Sequence, residues 1–107
     1  MTRRSKYNAQ PTVVDGVRFA SKAEARRWNE LRLLERGRQI AELERQPKFA
    51  LNYGDELIGY YVADFEYLDF KHGEWVVEDV KGVQTELFKW KARHFRAQYG
   101  REIVIVK

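Results

Sequence analysis

The chain contains no cysteine, which excludes disulfide frameworks, thiolate zinc sites and cysteine nucleophiles. It has only two histidines, His72 and His94, and they do not stand at metal-ligand spacing. No apolar run approaches the length of a membrane span. The opening Met1-Thr2-Arg3-Arg4-Ser5-Lys6 is basic but leads into no hydrophobic stretch, so it does not read as a secretory signal. A glycine-rich phosphate loop and a Ser-His-Asp pattern are also lacking. These absences predict a soluble chain with no membrane partner, most simply cytoplasmic.

What is present is a strongly aromatic, strongly charged chain of 107 residues, 44% hydrophobic and 14% aromatic. That length fits one domain, and a domain of this size buries roughly two-thirds of its unfolded surface. The net charge of +4 hides a segregation along the chain. Residues 1–38 carry +6, residues 39–80 carry −7, and residues 81–107 carry +5. A basic exterior around a local group of carboxylates suits a protein that attracts phosphates and holds a cation. The plainer alternative is a pair of solvated helix faces beside acidic strands.

Residues 1–10 read as a flexible basic arm ahead of a single domain over 11–107. Thr12-Val13-Val14 and Val17-Arg18-Phe19 flank Asp15-Gly16, a dipeptide that favours a hairpin turn. Ser21-Lys22-Ala23-Glu24 has the form of a capping box, and helix formers follow to Arg36. Residues 40–53 read as a link and an extended segment, with Pro47 at its start or edge. Leu57 to Phe70 reads as one long strand, His72-Gly73 as a two-residue turn, and Glu74 to Lys81 as the returning strand. Thr85 to Tyr99 reads as a second helix, and Glu102 to Val106 as a short apolar strand. The expected fold is therefore α/β (α+β): a mixed four-stranded sheet with flanking helices. Its core order is helix, three strands, helix, strand, after a small N-terminal hairpin.

Asp and Glu are depleted in strands, yet Asp64, Glu66, Glu78 and Asp79 all fall within apolar strand sequence. Successive side chains alternate faces. Asp79 and Lys81 thus share one face, Glu78 and Val80 the other, and Asp64 goes with Glu66. With His72-Gly73 as the turn, Lys71 faces Glu74, Phe70 faces Trp75, Leu68 faces Val77, Glu66 faces Asp79 and Asp64 faces Lys81. This register gathers Asp64, Asp79 and Lys81 on one face, with Glu66 nearby. A one-residue slip would scatter them. Paired carboxylates repel unless a cation compensates. A hard ion such as Mg²⁺, with Mn²⁺ as substitute, takes oxygen ligands and leaves positions open for phosphate oxygens.

Glu24 on a first helix, Asp64 on one strand, and Asp79-Val80-Lys81 on the next resemble the PD-(D/E)XK nuclease superfamily. Its helix, three strands, helix, strand core matches the order read above. Ser21-Lys22-Ala23-Glu24-Ala25 and Glu78-Asp79-Val80-Lys81-Gly82, with Thr85 and a basic helix following, resemble small phage-encoded endonucleases of the junction-resolvase type. The resemblance covers roughly residues 12–106. It implies Asp64, Asp79, the Val80 carbonyl and Glu24 around Mg²⁺, with Lys81 as the catalytic lysine. The chain departs from the pattern in having Ala63 rather than proline before Asp64, and Asp79 where glutamate is commoner.

The resemblance also implies a metal-dependent endodeoxyribonuclease acting on branched, junction or flap DNA in phage replication or recombination, in the host cytoplasm if phage-encoded. A homodimer would suit the cutting of two symmetry-related strands. Arg3, Arg4, Lys6, Lys22, Lys89, Lys91 and Arg93 are the candidate DNA contacts. Glu24 has two possible roles, metal ligand or the acidic half of the capping box. The alternative function is a nucleic-acid-binding module that keeps the fold and does no cutting; a small interaction protein is a third class with no positive feature in its favour.

Overall fold

The computed structural model describes residues 11–14 and 16–107. The expected basic arm, with Arg3, Arg4 and Lys6, and Asp15 of the first turn lie outside the described residues. Strands β1 (Thr12–Val14) and β2 (Val17–Phe19) form the expected small antiparallel hairpin. Helix α1 (Lys22–Arg36) starts at Ser21, whose extended backbone and side-chain oxygen cap the Glu24 N–H at 3.1 Å. This hydrogen bond satisfies one of the donors that a helix start leaves without an internal partner.

Strands β3 (Ile40–Arg45) and β4 (Lys48–Tyr53) flank Pro47, and β5 (Glu56–Val62) and β6 (Phe65–Asp69) follow. Next come β7 (Glu74–Val80), helix α2 (Glu86–Tyr99) and β8 (Ile103–Val106). The main sheet is ordered β3-β6-β7-β8, with only the β7–β8 pair parallel. A parallel neighbour needs a crossover, and α2 supplies it. Thr85 caps its start through the Phe88 N–H, and left-handed Gly100, φ 67°, ends it by donating to the Arg96 carbonyl. The architecture is thus a mixed α and β domain, with a four-stranded mixed sheet, two helices and two small hairpin sheets.

Two cores lie on opposite sides of the main sheet. Phe65 and Tyr67 of β6 join Phe19, Ala25, Leu31 and Ile40 on the α1 side. Val77 of β7 joins Leu51, Tyr61, Ala63, Phe88 and Phe95 on the α2 side. Among the described residues, no helix is long and apolar enough to cross a membrane.

Two expectations need correction. The long strand over Leu57–Phe70 is broken at Ala63-Asp64: β5 pairs with β4, whereas β6 pairs with β3. The break is shared by the partner segment. Ala63 donates to the Pro47 carbonyl at 3.2 Å, and Gln46, at φ 52°, donates to the Asp64 carbonyl at 2.9 Å. Proline at that bend lacks an N–H and cannot carry the ladder through, so both segments turn together. Residues 40–53 accordingly form two strands rather than a link and one extended piece.

The second correction concerns the β6–β7 register. Phe65 pairs with Glu78, Glu66 with Val77, Leu68 with Trp75 and Asp69 with Glu74. Each pair is two residues from expectation, so neither the Glu66–Asp79 nor the Asp64–Lys81 pairing forms. The turn is longer because Asp69 organises it, accepting the Lys71 N–H at 2.9 Å and contacting the His72 ring at 2.8 Å. Gly73, at φ 65°, completes it in the left-handed region. A shift of two leaves the face of every side chain unchanged.

Candidate active site

Three structural decisions bring the acidic groups together. The bend at Ala63-Asp64 frees Asp64 from the regular ladder. Its backbone N–H still reaches the Glu78 carbonyl at 3.1 Å, and its Oδ2 accepts the Val80 N–H at 2.7 Å. The Asp64 side chain therefore lies along the end of β7 beside Asp79. Strand alternation turns Asp79 toward the α2 side, where it is 2% exposed. Capping of α1 places Glu24, itself 5% exposed, in the first helical turn.

Charge in this pocket is poorly compensated. Burial, and then the neighbouring Asp79 charge, push the Asp64 carboxyl up to about 8. Glu24 is also raised, first by burial; an N–H from Ala20 and the charges of Arg45 and Lys81 oppose the shift, while Asp79 adds to it. The Ser21 half of the capping box is formed, its hydroxyl accepting the Glu24 N–H at 3.1 Å. A place in the capped first turn and proximity to the acidic pair coexist at this residue. Lys81 Nζ stands 3.4 Å from Asp79 Oδ1 and 4.8 Å from the centre of the Phe88 ring. Tyr61 completes the group by donating its hydroxyl to Asp79 Oδ2 at 2.5 Å. Burial and that bond push the Tyr61 phenol well above its ordinary range.

Glu24, Asp64, Asp79 and Lys81 are therefore neighbours, and Val80 lies between the last two along β7. Tyr61 is the site residue that strand parity and composition missed. Its inward position in β5 follows from alternation, but its pairing with Asp79 depends on how the β4–β5 hairpin packs against β7. Glu66 leaves the group and pairs with Arg101 at 3.0 Å. Glu78 points to the opposite face, where Arg27 holds both its oxygens at 2.8 and 2.7 Å and the Tyr67 hydroxyl donates to Oε2. His72 belongs to the turn, and His94 meets the Asn52 carbonyl at 2.9 Å.

The donors at the site are hard oxygens, as Mg²⁺ or Mn²⁺ requires. Among the described residues, no three or more acidic or histidine side chains are grouped so as to hold a metal ion by themselves. What fits a cation is the excess of buried negative charge over the single ammonium of Lys81, which makes the metal-free pair repulsive. The basic candidates divide. Lys89 and Arg93 line a cleft of about 240 Å³ between α2 and β8, together with Arg96 and with Phe88, the ring that carries Lys81. Lys91, two residues from each, points elsewhere on the helix, and Lys22 is exposed on the first turn of α1.

In the comparisons with known proteins, no curated protein and no solved structure matches the chain. A family model does match, over residues 4–106. Spanning nearly all of the sequence, that match shows that the chain belongs to the family described as protein of unknown function (DUF1064).

Proposed function

We propose that this protein is a metal-dependent endodeoxyribonuclease of the PD-(D/E)XK type. The observation that carries the reading is the meeting of half-buried Asp64 with buried Asp79, with Lys81 on one and Glu24 beside both. Two like charges at low exposure are costly in a purely structural role, and they become useful once a divalent cation is bound. The order of helices and strands, with a parallel β7–β8 pair joined through α2, supports the same reading.

Asp64, Asp79 and the Val80 carbonyl would hold Mg²⁺, with Glu24 reaching it directly or through water. When bound, that ion supplies charge neutralisation at the phosphate and a more acidic water. The chain's own groups do the rest. The Lys81 ammonium, held against the Phe88 ring, presents a fixed positive charge to the phosphodiester as negative charge develops on its oxygens. Asp79 keeps that ammonium in place. Lys89 and Arg93 would take flanking backbone phosphates through the α2–β8 cleft, and Lys22 would add to the field. A DNA substrate with a branch, junction or flap, and a homodimer to cut paired strands, belong to this proposal.

The test is cleavage of a panel of linear, flap and four-way DNA substrates with Mg²⁺, with Mn²⁺ and with chelator. Cutting that requires metal and is lost in Asp79→Asn supports the proposal. DNA binding without cutting under every metal condition would instead identify a non-catalytic nucleic-acid-binding module.

A further inference from the structure

We infer that Tyr61 is a positioning residue, whose hydroxyl fixes the rotation of Asp79 and leaves Oδ1, the oxygen nearest Lys81, directed to a bound cation. The inference rests on the metal-dependent reading above. It begins from how the two carboxylates are held. Asp64 Oδ2 is committed to the Val80 N–H at 2.7 Å, and Asp79 Oδ2 to the Tyr61 hydroxyl at 2.5 Å. Each acid thus has one oxygen occupied by a neutral donor from the protein. A neutral donor fixes the plane of a carboxylate without cancelling its charge, whereas a guanidinium that takes both oxygens, as Arg27 does on Glu78, leaves neither for a cation.

Tyr61 is itself immobilised. It is 2% exposed, and its ring lies 5.5 Å from that of Phe95 and 6.2 Å from that of Phe88. Phe88 also carries Lys81 on its face. One aromatic cluster therefore sets both partners of Asp79, the phenol on Oδ2 and the ammonium near Oδ1. The other face of the sheet supplies an internal control. Tyr67 makes the same kind of bond to Glu78, but there Arg27 occupies both carboxylate oxygens, so that phenol directs nothing toward a cation.

Calorimetric titration with Mn²⁺ alone, on the full chain, distinguishes the two phenols. Tyr61→Phe keeps the ring and should weaken Mn²⁺ binding by about tenfold or more, the scale on which such supporting bonds act. Tyr67→Phe should stay within about twofold of wild type. Wild-type affinity in Tyr61→Phe, or equal losses in both variants, overturns the inference while leaving the nuclease reading intact. A wild-type chain that binds no Mn²⁺ overturns both. Should Tyr61→Phe fail to fold, proton NMR of the wild type answers in its place. The buried Tyr61 hydroxyl resonance should shift on saturation with Mg²⁺, and an unmoved resonance counts against the inference.

Discussion

Glu78 and Asp79 are consecutive residues of one strand, both almost wholly buried, and the protein treats them in opposite ways. On the α1 side, Glu78 receives a bidentate guanidinium from Arg27 and a phenol from Tyr67. That arrangement is closed: both oxygens have a charged donor, and the charge is matched. On the α2 side, Asp79 has a phenol and an ammonium at 3.4 Å, and a second carboxylate as neighbour. That arrangement is open, with more negative charge than the protein neutralises. Burial is therefore common to the two acids, and the completeness of their neutralisation separates them.

The sharpest way to break this comparison is to neutralise each acid in turn. Asp79→Asn should reduce cleavage by about a thousandfold, near 4 kcal/mol of barrier, while the metal-free protein melts no lower than wild type. Glu78→Gln should do the reverse. It strands the Arg27 charge against a neutral amide, at a cost of about 3 kcal/mol, yet cleavage at low temperature should persist. Equal stability losses in the two variants, read by thermal melting in chelator, would remove the distinction between closed and open sites.

Glu24 sharpens it further, because it lies both in the capped first turn of α1 and near the open site. Glu24→Gln should lower the cleavage rate by about a hundredfold, some 2.7 kcal/mol, while melting within about 1 kcal/mol of wild type. A Ser21→Ala control should lose stability and keep the chemistry. Near-normal cleavage by Glu24→Gln would confine the active group to Asp64, Asp79 and Lys81.

The smallest effect is one of pH on the metal-free protein. Asp64 titrates from 3.8 when unperturbed to about 8 in the fold. A raised carboxyl contributes stability that is fully present below the lower value and is lost as pH rises through the upper one. Asp64→Asn should therefore melt like wild type near pH 4 and above it near pH 8, by at least about 1 kcal/mol, the equivalent of one pKa unit. A stability difference that does not grow with pH would mean that neither burial nor the Asp79 charge raises the Asp64 carboxyl.

The separation of the two faces was readable from residue order. A period of two assigns Asp64 and Asp79 to one side and Glu78 to the other, and it survives the register shift because that shift is even. The register itself was not readable, since it is set by Asp69 folding back on its own turn. Nor was the break at Ala63-Asp64, where Asp64 alone interrupts apolar strand composition that resumes at Phe65. That break is imposed from outside by Gln46 and Pro47, a tertiary cause with no local mark. The capping of α1 at Ser21 was legible because it is local.

The short turn between β6 and β7 also bears on the order of assembly. It makes Asp64 and Asp79 members of one local unit, only 15 residues apart, whereas Arg27 and Glu24 lie far upstream and β8 waits on the α2 crossover. Contacts of short sequence separation close with the smallest loss of chain entropy. The nascent hairpin thus meets its own charge repulsion before distant parts of the chain have packed around it. Molar salt, which shortens the screening length to about 3 Å, should consequently accelerate refolding of the metal-free chain more than it slows unfolding.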